Sequence, residues 1–291
     1  MQTSVFSVDV EDWFHILDVP GSTPISGWGE LPSRVENSFF KLLDVFDEKN
    51  VHVTCFFLGW VGERYPHLVR DAIARGHEVA SHGYGHRLVF QQTKQEFKED
   101  IRRARLLLED IAGVPVTGYR APGFSTTEQT PWFFDVLVDA GYVYDSSVFP
   151  APRGHGGIKG GRRDAHYADS NQKLLEIPIS VADVMGQPIC FFGGGYLRLF
   201  PYWLIRRMSN QVLREGRPVV FYVHPREVDP EHPRMAMNRT RQFKSYVNLE
   251  TTEYKIRRIL EDFPVTTFRD VIANYPLLTP AAADFLDSLS E

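Results

Sequence analysis

His82 and His86 lie four residues apart in the segment SHGYGH, directly after an apolar run. The two glycines between them disfavour a helix and allow a tight turn that brings both imidazoles to one point. Two imidazoles and one carboxylate form a three-ligand site for Zn²⁺, or for another divalent cation such as Co²⁺ or Ni²⁺. The simpler alternative is a pair of hydrogen-bonded loop histidines.

Candidates for the carboxylate lie in the segment SVDVED, which places Asp9, Glu11 and Asp12 at the end of an apolar run. Three carboxylates in this position are costly to bury unless they are paired or bind a metal. By strand alternation, Asp9 and Glu11 share a face. The alternative is a solvated turn or a helix N-cap.

Three more polar residues end apolar segments: Arg120 ends PVTGYR, Asp145 ends YVYD and His224 ends VVFYVH. In a parallel α/β barrel the carboxyl ends of the strands share one face, and active sites are built there. We therefore expect these residues to converge on the two histidines. Taken singly, each has a structural alternative: a salt bridge for Arg120, a turn for Asp145 and a satisfied core histidine for His224.

The elements that must position these residues alternate between strand-like and helical patterns along the chain. The clearest helix is predicted over 93–113, where Thr93 and Glu96 form a capping box before an apolar stripe. Another is predicted over 63–76, ending at Gly76. Repeated β-then-α units predict an α/β fold with a mainly parallel, closed or nearly closed barrel.

Composition narrows the function further. The chain has 291 residues, a formal net charge of −5 and 43% hydrophobic residues, which is enough for one large core and argues against nucleic acid as a partner. Cys55 and Cys190 lie in apolar runs and are predicted to be buried free thiols. No segment has the length of a membrane span, and the first residues lack a signal-peptide pattern. We expect a cytoplasmic protein, and a homo-oligomer is compatible with the sequence.

Four segments carry a resemblance to a known family: FSVDVEDWFH, SHGYGH, RAPGF and FYVHP, in this order between about residues 4 and 228. The chain resembles the polysaccharide deacetylases, the NodB-homology or carbohydrate esterase 4 family. The resemblance implies a distorted (β/α) barrel over 1–228, with residues 229–291 as a C-terminal extension packed on it. It also implies a metal-dependent enzyme that removes acetyl groups from amino sugars of a polysaccharide or a lipid-linked glycan.

The acidic segment departs from the Thr-Phe-Asp-Asp form common in that family, because one residue separates Asp9 from the Glu11-Asp12 pair. The departure leaves open which of Glu11 and Asp12 binds the metal. The segment is similar to a branch with an Asp-Val-Glu-Asp-Trp start and a C-terminal extension, associated with exopolysaccharide synthesis. The GYGH turn is also similar to a branch that contains metal-independent allantoinases, so an allantoinase-like cyclic amide hydrolase is one alternative function. A non-catalytic carbohydrate-binding barrel is another.

Within this resemblance, Asp9 would take a proton from water and Arg120 would hold Asp9 in place. His224 would protonate the leaving amine, and Asp145 or Glu176 would orient His224.

A backbone N–H near Gly123 or Phe124 would hold the oxyanion, and Trp13 would contact substrate. Tyr196 and Trp203 would either stack on sugar faces or belong to a turn before the helix near Pro201. The Gly- and Arg-rich segment 151–172 would be either a solvated loop or a lid whose arginines meet the substrate.

Overall fold

The computed structural model describes residues 4–17, 19, 22–152, 156–169 and 171–273. Eleven strands lie in these ranges: β1 Ser4–Val10, β2 Thr54–Phe57, β3 Glu78–Ser81, β4 Gly118–Tyr119, β5 Tyr144–Asp145, β6 His166–Tyr167, β7 Leu175–Glu176, β8 Ala182–Val184, β9 Gln187–Ile189, β10 Val220–Val223 and β11 Val265–Thr266. Ten α-helices accompany them: α1 Val35–Glu48, α2 Gly59–Arg64, α3 Pro66–Ala74, α4 Lys94–Ala112, α5 Phe133–Asp139, α6 Gly194–Leu199, α7 Tyr202–Arg214, α8 Arg239–Tyr246, α9 Thr252–Asp262 and α10 Phe268–Ala273.

One sheet organises the molecule. Its strand order is β10-β1-β2-β3-β4-β5-β7-β6, and β11 pairs with the start of β1. Every pairing in it is parallel except that of β6 with β7. The sheet curls into a half-barrel flanked by helices, which confirms the predicted α/β fold of the distorted-barrel type.

The central strand β1 is buried along its whole length, as expected for a parallel sheet that is covered on both faces. Phe6 and Val8 on one face belong to the core beneath α1, whereas Val5 packs in a second core with Phe56 and Phe268. Cys55 and Cys190 are buried free thiols, as predicted. The rigid, two-sided burial of β1 holds the residues that follow it in a defined place.

Of two helices predicted from local sequence signals, one is confirmed and one is wrong. Helix α4 has the expected capping box of Thr93 and Glu96, and it ends at Gly113 in the left-handed conformation. The helix predicted over 63–76 is wrong as a single element, because α2 ends before Tyr65 and α3 begins at Pro66. Proline has no N–H to donate, and it disfavours the helical conformation in the residue before it.

The C-terminal part is joined to the sheet rather than appended to it. Strand β11 pairs with β1 through Ser4 and Val5, and Ile256 and Ile259 of α9 lie in the main core. The proposed division at residue 228 stays a prediction, and residues 274–291 of the predicted extension lie outside the described residues. Within the described ranges, no helix is long and apolar enough to cross a membrane.

Candidate active site

The register of the parallel strands brings the predicted site residues to one edge of the sheet. Asp9 pairs with Phe56 of β2, and Ser81 at the end of β3 pairs with Tyr119 at the end of β4. Residues that directly follow β1, β3, β4 and β10 therefore lie around one pocket, as the sequence predicts for strand ends.

Glu11, His82 and His86 form a compact buried group at this edge. One ligand atom from each lies within 4.8 Å of the other two. The Oε2 atom of Glu11 lies 2.6 Å from Nε2 of His86. Burial opposes ionisation of Glu11, but the neighbouring His86 and His224 outweigh it and hold the pKa of this carboxyl well below its usual range.

The tautomer of His82 follows from its hydrogen bond. Its Nδ1 lies 2.8 Å from the carbonyl oxygen of Arg120, which can only accept, so Nδ1 carries the proton. The lone pair of Nε2 is then available as a ligand. Burial lowers the pKa of His82 to about 4, so the ring is neutral at neutral pH, as metal binding requires.

The turn between the two histidines is held from α4. Both carboxylate oxygens of Asp100 accept backbone hydrogen bonds, from Tyr84 at 2.7 Å and from Gly85 at 3.0 Å. Gly83 has φ +73°, and a Cβ there would lie 2.9 Å from Asp100 Oδ2. His86 itself adopts φ +50°, an uncommon conformation for a residue with a side chain. Asp100 therefore fixes the chain path that aims His86 at Glu11.

Asp12 lies apart from this group and has a different role. Its carboxylate accepts hydrogen bonds from Ser33 Oγ at 2.5 Å and from the backbone amides of Trp13 and Arg34. It is the N-cap of the 3-10 turn Trp13–His15. Of the two carboxylates that the sequence leaves open, the geometry brings Glu11 to the histidines and Asp12 to a cap.

Asp9 is paired with Arg120 beside the metal-ligand group. Arg120 Nη1 donates to Asp9 Oδ1 at 2.7 Å and to Ser7 Oγ at 2.8 Å. The guanidinium is fully buried and lies 4.1 Å from the ring centroid of Phe56. The other carboxylate oxygen of Asp9, Oδ2, lies 3.9 Å from His224 Nε2 and faces the pocket.

His224 is oriented by Glu227, which the sequence analysis did not identify. The Oε2 atom of Glu227 lies 3.3 Å from His224 Nδ1 and accepts from the His224 backbone amide at 3.0 Å. Burial disfavours the charged ring, but Glu11 and Glu227 outweigh it and raise the pKa of His224 above its usual value. A carboxylate three residues after a strand-end histidine, at the end of the short turn Pro225–Val228, is the signal that could have indicated Glu227.

Asp145 and Glu176, the predicted partners of His224, pair with each other instead. Their strands are neighbours, and burial raises the pKa of Asp145 to about 6 while the two carboxyls share a hydrogen bond. Ser147 donates to Asp145 at 2.5 Å, and the Val148 amide donates to Glu176 at 2.9 Å. The pair therefore shapes the loop after β5, and Glu227 occupies the orienting position beside His224.

Glu227 belongs to a buried charge network. Arg198 of α6 lies 2.9 Å from Glu227 Oε1 through its Nε. Its terminal nitrogens donate to the carbonyl oxygens of Lys244 at 3.1 Å and Ser245 at 2.7 Å, in the last turn of α8. The network links His224 to two helices that lie far along the chain from the metal ligands.

The residues predicted to contact the substrate have different environments in the structure. Phe124 donates its amide to the Ala121 carbonyl at 2.9 Å, so Gly123 is the better candidate for an oxyanion donor. Trp13 is buried and donates to Pro32, whereas Trp203 is 66% exposed on α7. Tyr196 lies in α6 and packs against the second core.

The two glycine-rich segments also take definite forms. Gly193 pairs with Tyr222 of β10, and a Cβ there would lie 2.2 Å from the tyrosine ring. In the segment 151–172, Arg163 pairs with Asp183 at 2.6 Å. Residues 153–155 and 170 of that predicted loop or lid lie outside the described residues, and the choice between loop and lid stays a prediction.

The donor set fits a divalent cation. Two imidazoles and one carboxylate are the ligands that catalytic zinc sites use, with further positions open. The buried Nε2 of His86, although it touches Glu11, has no hydrogen-bond partner of suitable angle among the described residues. Nε2 of His86 and Oε2 of Glu11 are thus placed to bind the same ion.

Comparisons with known proteins give matches over parts of the chain. Residues 27–144 match the family model described as Polysaccharide deacetylase, and residues 146–273 match a model described as Domain of unknown function (DUF3473). The Peptidoglycan deacetylase of Helicobacter pylori is 28% identical over 108 residues, which are 37% of this chain and 36% of the relative. The matched part thus spans about a third of the length of this relative.

Solved structures share the fold at low identity. A Mycobacterium smegmatis protein classed among the polysaccharide deacetylases has a TM-score of 0.59 and 22% identity, over 93% of this chain and 88% of that chain. Puue allantoinase has a TM-score of 0.62 and 15% identity, over 94% of this chain and 91% of that chain. The family model and the curated relative point to the polysaccharide deacetylases over part of the chain, and the solved structures show that the fold is shared.

Proposed function

We propose that this chain is a member of the polysaccharide deacetylase family and that it hydrolyses the N-acetyl groups of amino sugars in a polysaccharide or lipid-linked glycan with the help of a divalent cation. The observation that carries the proposal is the convergence of three metal-ligand atoms, the Asp9–Arg120 pair and His224 at one sheet edge. The Helicobacter pylori relative is named a peptidoglycan deacetylase, and that named activity supports the substrate class. The Asp-Val-Glu-Asp-Trp start supports the branch associated with exopolysaccharide synthesis.

Glu11, His82 and His86 would hold the cation, which we propose to be Zn²⁺, with Co²⁺ or Ni²⁺ as alternatives. When bound, such a cation supplies Lewis acidity toward an amide carbonyl and toward water. The chain contributes the neutral state of His82 and the anionic state of Glu11, both of which favour binding at neutral pH.

Asp9 has the position of a general base. Arg120 occupies its Oδ1, which leaves Oδ2 directed toward the pocket. A water molecule within hydrogen-bond reach of Oδ2 would lose its proton to this oxygen as it attacks the acetyl carbon. The fixed guanidinium keeps the carboxylate from rotating away, which lowers the entropic cost of the step.

His224 has the position and charge of a general acid. An amine leaves an amide poorly unless its nitrogen is protonated, so the reaction needs a proton donor near the leaving group. The raised pKa of His224 keeps the ring protonated above the pH at which an ordinary histidine loses its proton. Its Nε2 faces Asp9 and Glu11 across the pocket, and Glu227 holds Nδ1.

Gly123 would complete the site as the backbone donor to the oxyanion. It lies in the turn Pro122–Phe124, which begins two residues after Arg120, and its φ of +64° turns the backbone sharply there. One such donor is worth roughly 3 kcal/mol of transition-state stabilisation.

The test is acetate release from N-acetylglucosamine oligomers, measured for the wild type and for Asp9→Asn with and without a chelator. We expect release that the chelator removes and zinc restores, and a loss of about a thousandfold for Asp9→Asn. Ring opening of allantoin to allantoate without metal would instead favour a cyclic amide hydrolase, the function that the name of the allantoinase of similar fold states. Binding of oligomers with no hydrolysis would favour a non-catalytic barrel.

A further inference from the structure

Residues 232–246 differ in charge from the rest of the chain. This segment contains four arginines and lysines and no aspartate or glutamate, whereas the whole protein has a formal net charge of −5. Its second half is the helix α8. A cationic stretch in an acidic protein is a candidate for recognition of an anionic partner.

Helix α8 borders the candidate active site at both of its ends. In its last turn, the carbonyl oxygens of Lys244 and Ser245 accept from Arg198, which contacts Glu227 beside His224. From its first turn, Arg241 Nη2 donates to the Leu17 carbonyl at 2.5 Å, in the loop that follows β1. The helix therefore bridges the two strand-end loops that carry Glu11 and His224.

The outer face of α8 is exposed and positive. Arg239 and Lys244 face solvent, and no carboxylate in the described part of the chain lies in ion-pair contact with either. Phe243 between them is 56% exposed. By contrast, Arg257 on α9 is paired with Glu253 at 2.9 Å. Unpaired cations beside an exposed aromatic ring suit a charged sugar chain better than a neutral one.

A further positive charge, Arg226, lies beside Glu11 and near Arg198, the residue that α8 holds. The Arg226 side chain is 10% exposed, and its Nε lies 3.8 Å from Glu11 Oε1. Its Nε and Nη1 atoms are buried without a hydrogen-bond partner among the described residues. A buried guanidinium with unused donors costs free energy in the free protein, and it is a common feature of sites that await an anionic or polar group.

We propose that α8 and Arg226 form a cationic wall that selects an acidic glycan, one in which uronate carboxylates alternate with or adjoin the N-acetylated sugars. The inference rests on the proposed deacetylation and deepens it by naming the substrate class. Guanidinium and ammonium groups at the rim bind the carboxylates, and Phe243 packs on a sugar face.

The experiment compares two probes of equal length, hyaluronan oligosaccharides with alternating N-acetylglucosamine and glucuronate, and neutral chitin oligosaccharides. Binding is measured by calorimetry on the full chain carrying Asp9→Asn, which blocks turnover. We expect about tenfold tighter binding of the acidic probe at low ionic strength, and a preference that shrinks as salt is added.

The variant Arg239→Gln/Lys244→Gln removes both exposed charges of α8 and leaves Arg226 in place, and we expect the preference for the acidic probe to fall by about half or more. The matched control is Lys94→Gln/Arg102→Gln, which removes two exposed charges from α4 and should keep the preference. Equal binding of both probes by the unaltered wall, or an unchanged preference in the α8 variant, would overturn the inference. So would binding to phosphatidylglycerol vesicles without binding to the acidic probe.

Acetate release by the wild-type chain separates the two proposals. Acetate release from chitin oligosaccharides, with no preference for hyaluronan in binding or turnover, would contradict the acidic-glycan inference. It would still support the deacetylase proposal. Preferential binding of hyaluronan with no acetate from either probe would contradict the deacetylase proposal, but it would still support the cationic wall.

Discussion

The two sides of the candidate active site shift the pKa values of buried histidines in opposite directions. We call the side formed by Glu11, His82 and His86 the metal wall. The side formed by His224 and Glu227 is the acid wall. On the metal wall, burial lowers the pKa of His82 to about 4, and the ring is held by a neutral backbone carbonyl. On the acid wall, carboxylates overcome burial and raise the pKa of His224, whose Nδ1 contacts Glu227. The difference follows from the task of each ring, because a ligand must stay deprotonated at one nitrogen whereas a general acid must hold its proton.

The two walls also differ in how they are supported. The metal wall depends on short contacts to the backbone, from the Arg120 carbonyl to His82 and from the Asp100 carboxylate to the turn before His86. The acid wall depends on the buried ion pair between Glu227 and Arg198, and through it on α8. Damage to the metal wall should therefore abolish the chemistry, and damage to the acid wall should retune its pH dependence.

The largest effect is expected from His86→Ala on the metal wall. Loss of one of three ligands should abolish stoichiometric zinc binding and reduce kcat/KM for acetate release by about a thousandfold or more. Metal content by mass spectrometry and steady-state kinetics measure both. The control His67→Ala removes a histidine that pairs with Glu36 at the surface and should leave both unchanged.

Glu227→Gln tests the acid wall. Removing this negative charge should lower the pKa of His224, so the protonated acid is lost at a lower pH and the alkaline limb of the kcat/KM profile moves toward acid. We expect kcat to fall roughly tenfold to a hundredfold, with metal content unchanged. An alkaline limb that stays in place would show that Glu227 does not tune the acid.

Asp100→Ala probes the support of the metal wall. The Tyr84 and Gly85 amides would lose their acceptor, and the turn that aims His86 would loosen. We expect zinc affinity to fall about tenfold, as measured by competition with a chromophoric chelator, with a smaller loss of kcat at saturating zinc. Asp110→Ala, an exposed position on the same helix, should bind zinc like the wild type.

Trp203→Ala should have the smallest effect. The ring is exposed on the outer face of α7, so its removal is expected to change kcat/KM for oligosaccharides by less than about twofold. A KM increase of tenfold would return Trp203 to the substrate surface that the sequence suggested, and would extend the acid wall outward to α7.

The sequence predicts the metal wall better than the acid wall, for a physical reason. Parallel strands must place their carboxyl ends at one edge, so Asp9, His82, Arg120 and His224 could be grouped without coordinates. The partner of His224 depends instead on the path of the turn Pro225–Val228, which brings Glu227 back onto the ring. The three-residue spacing of His224 and Glu227 is compatible with that path, but it does not exclude a partner such as Asp145 or Glu176.

Buried contacts between residues far apart in the sequence could not be predicted either. Arg198 lies in a glycine-rich segment whose pattern resembles a turn, and its partners come from a helix about 46 positions later. Asp12 was ambiguous because a carboxylate after a strand serves as well for an N-cap as for a metal ligand, and only the position of Ser33 and the following amides decides. The break at Pro66 was readable, since proline disfavours a helical residue before it.

The most direct test of the central claim is a crystal grown with zinc and measured at the zinc absorption edge. We expect one strong anomalous peak at roughly 2.0–2.2 Å from Nε2 of both His82 and His86 and from a carboxylate oxygen of Glu11. A peak bound by Asp12, or no peak between the two imidazoles at saturating zinc, would contradict it.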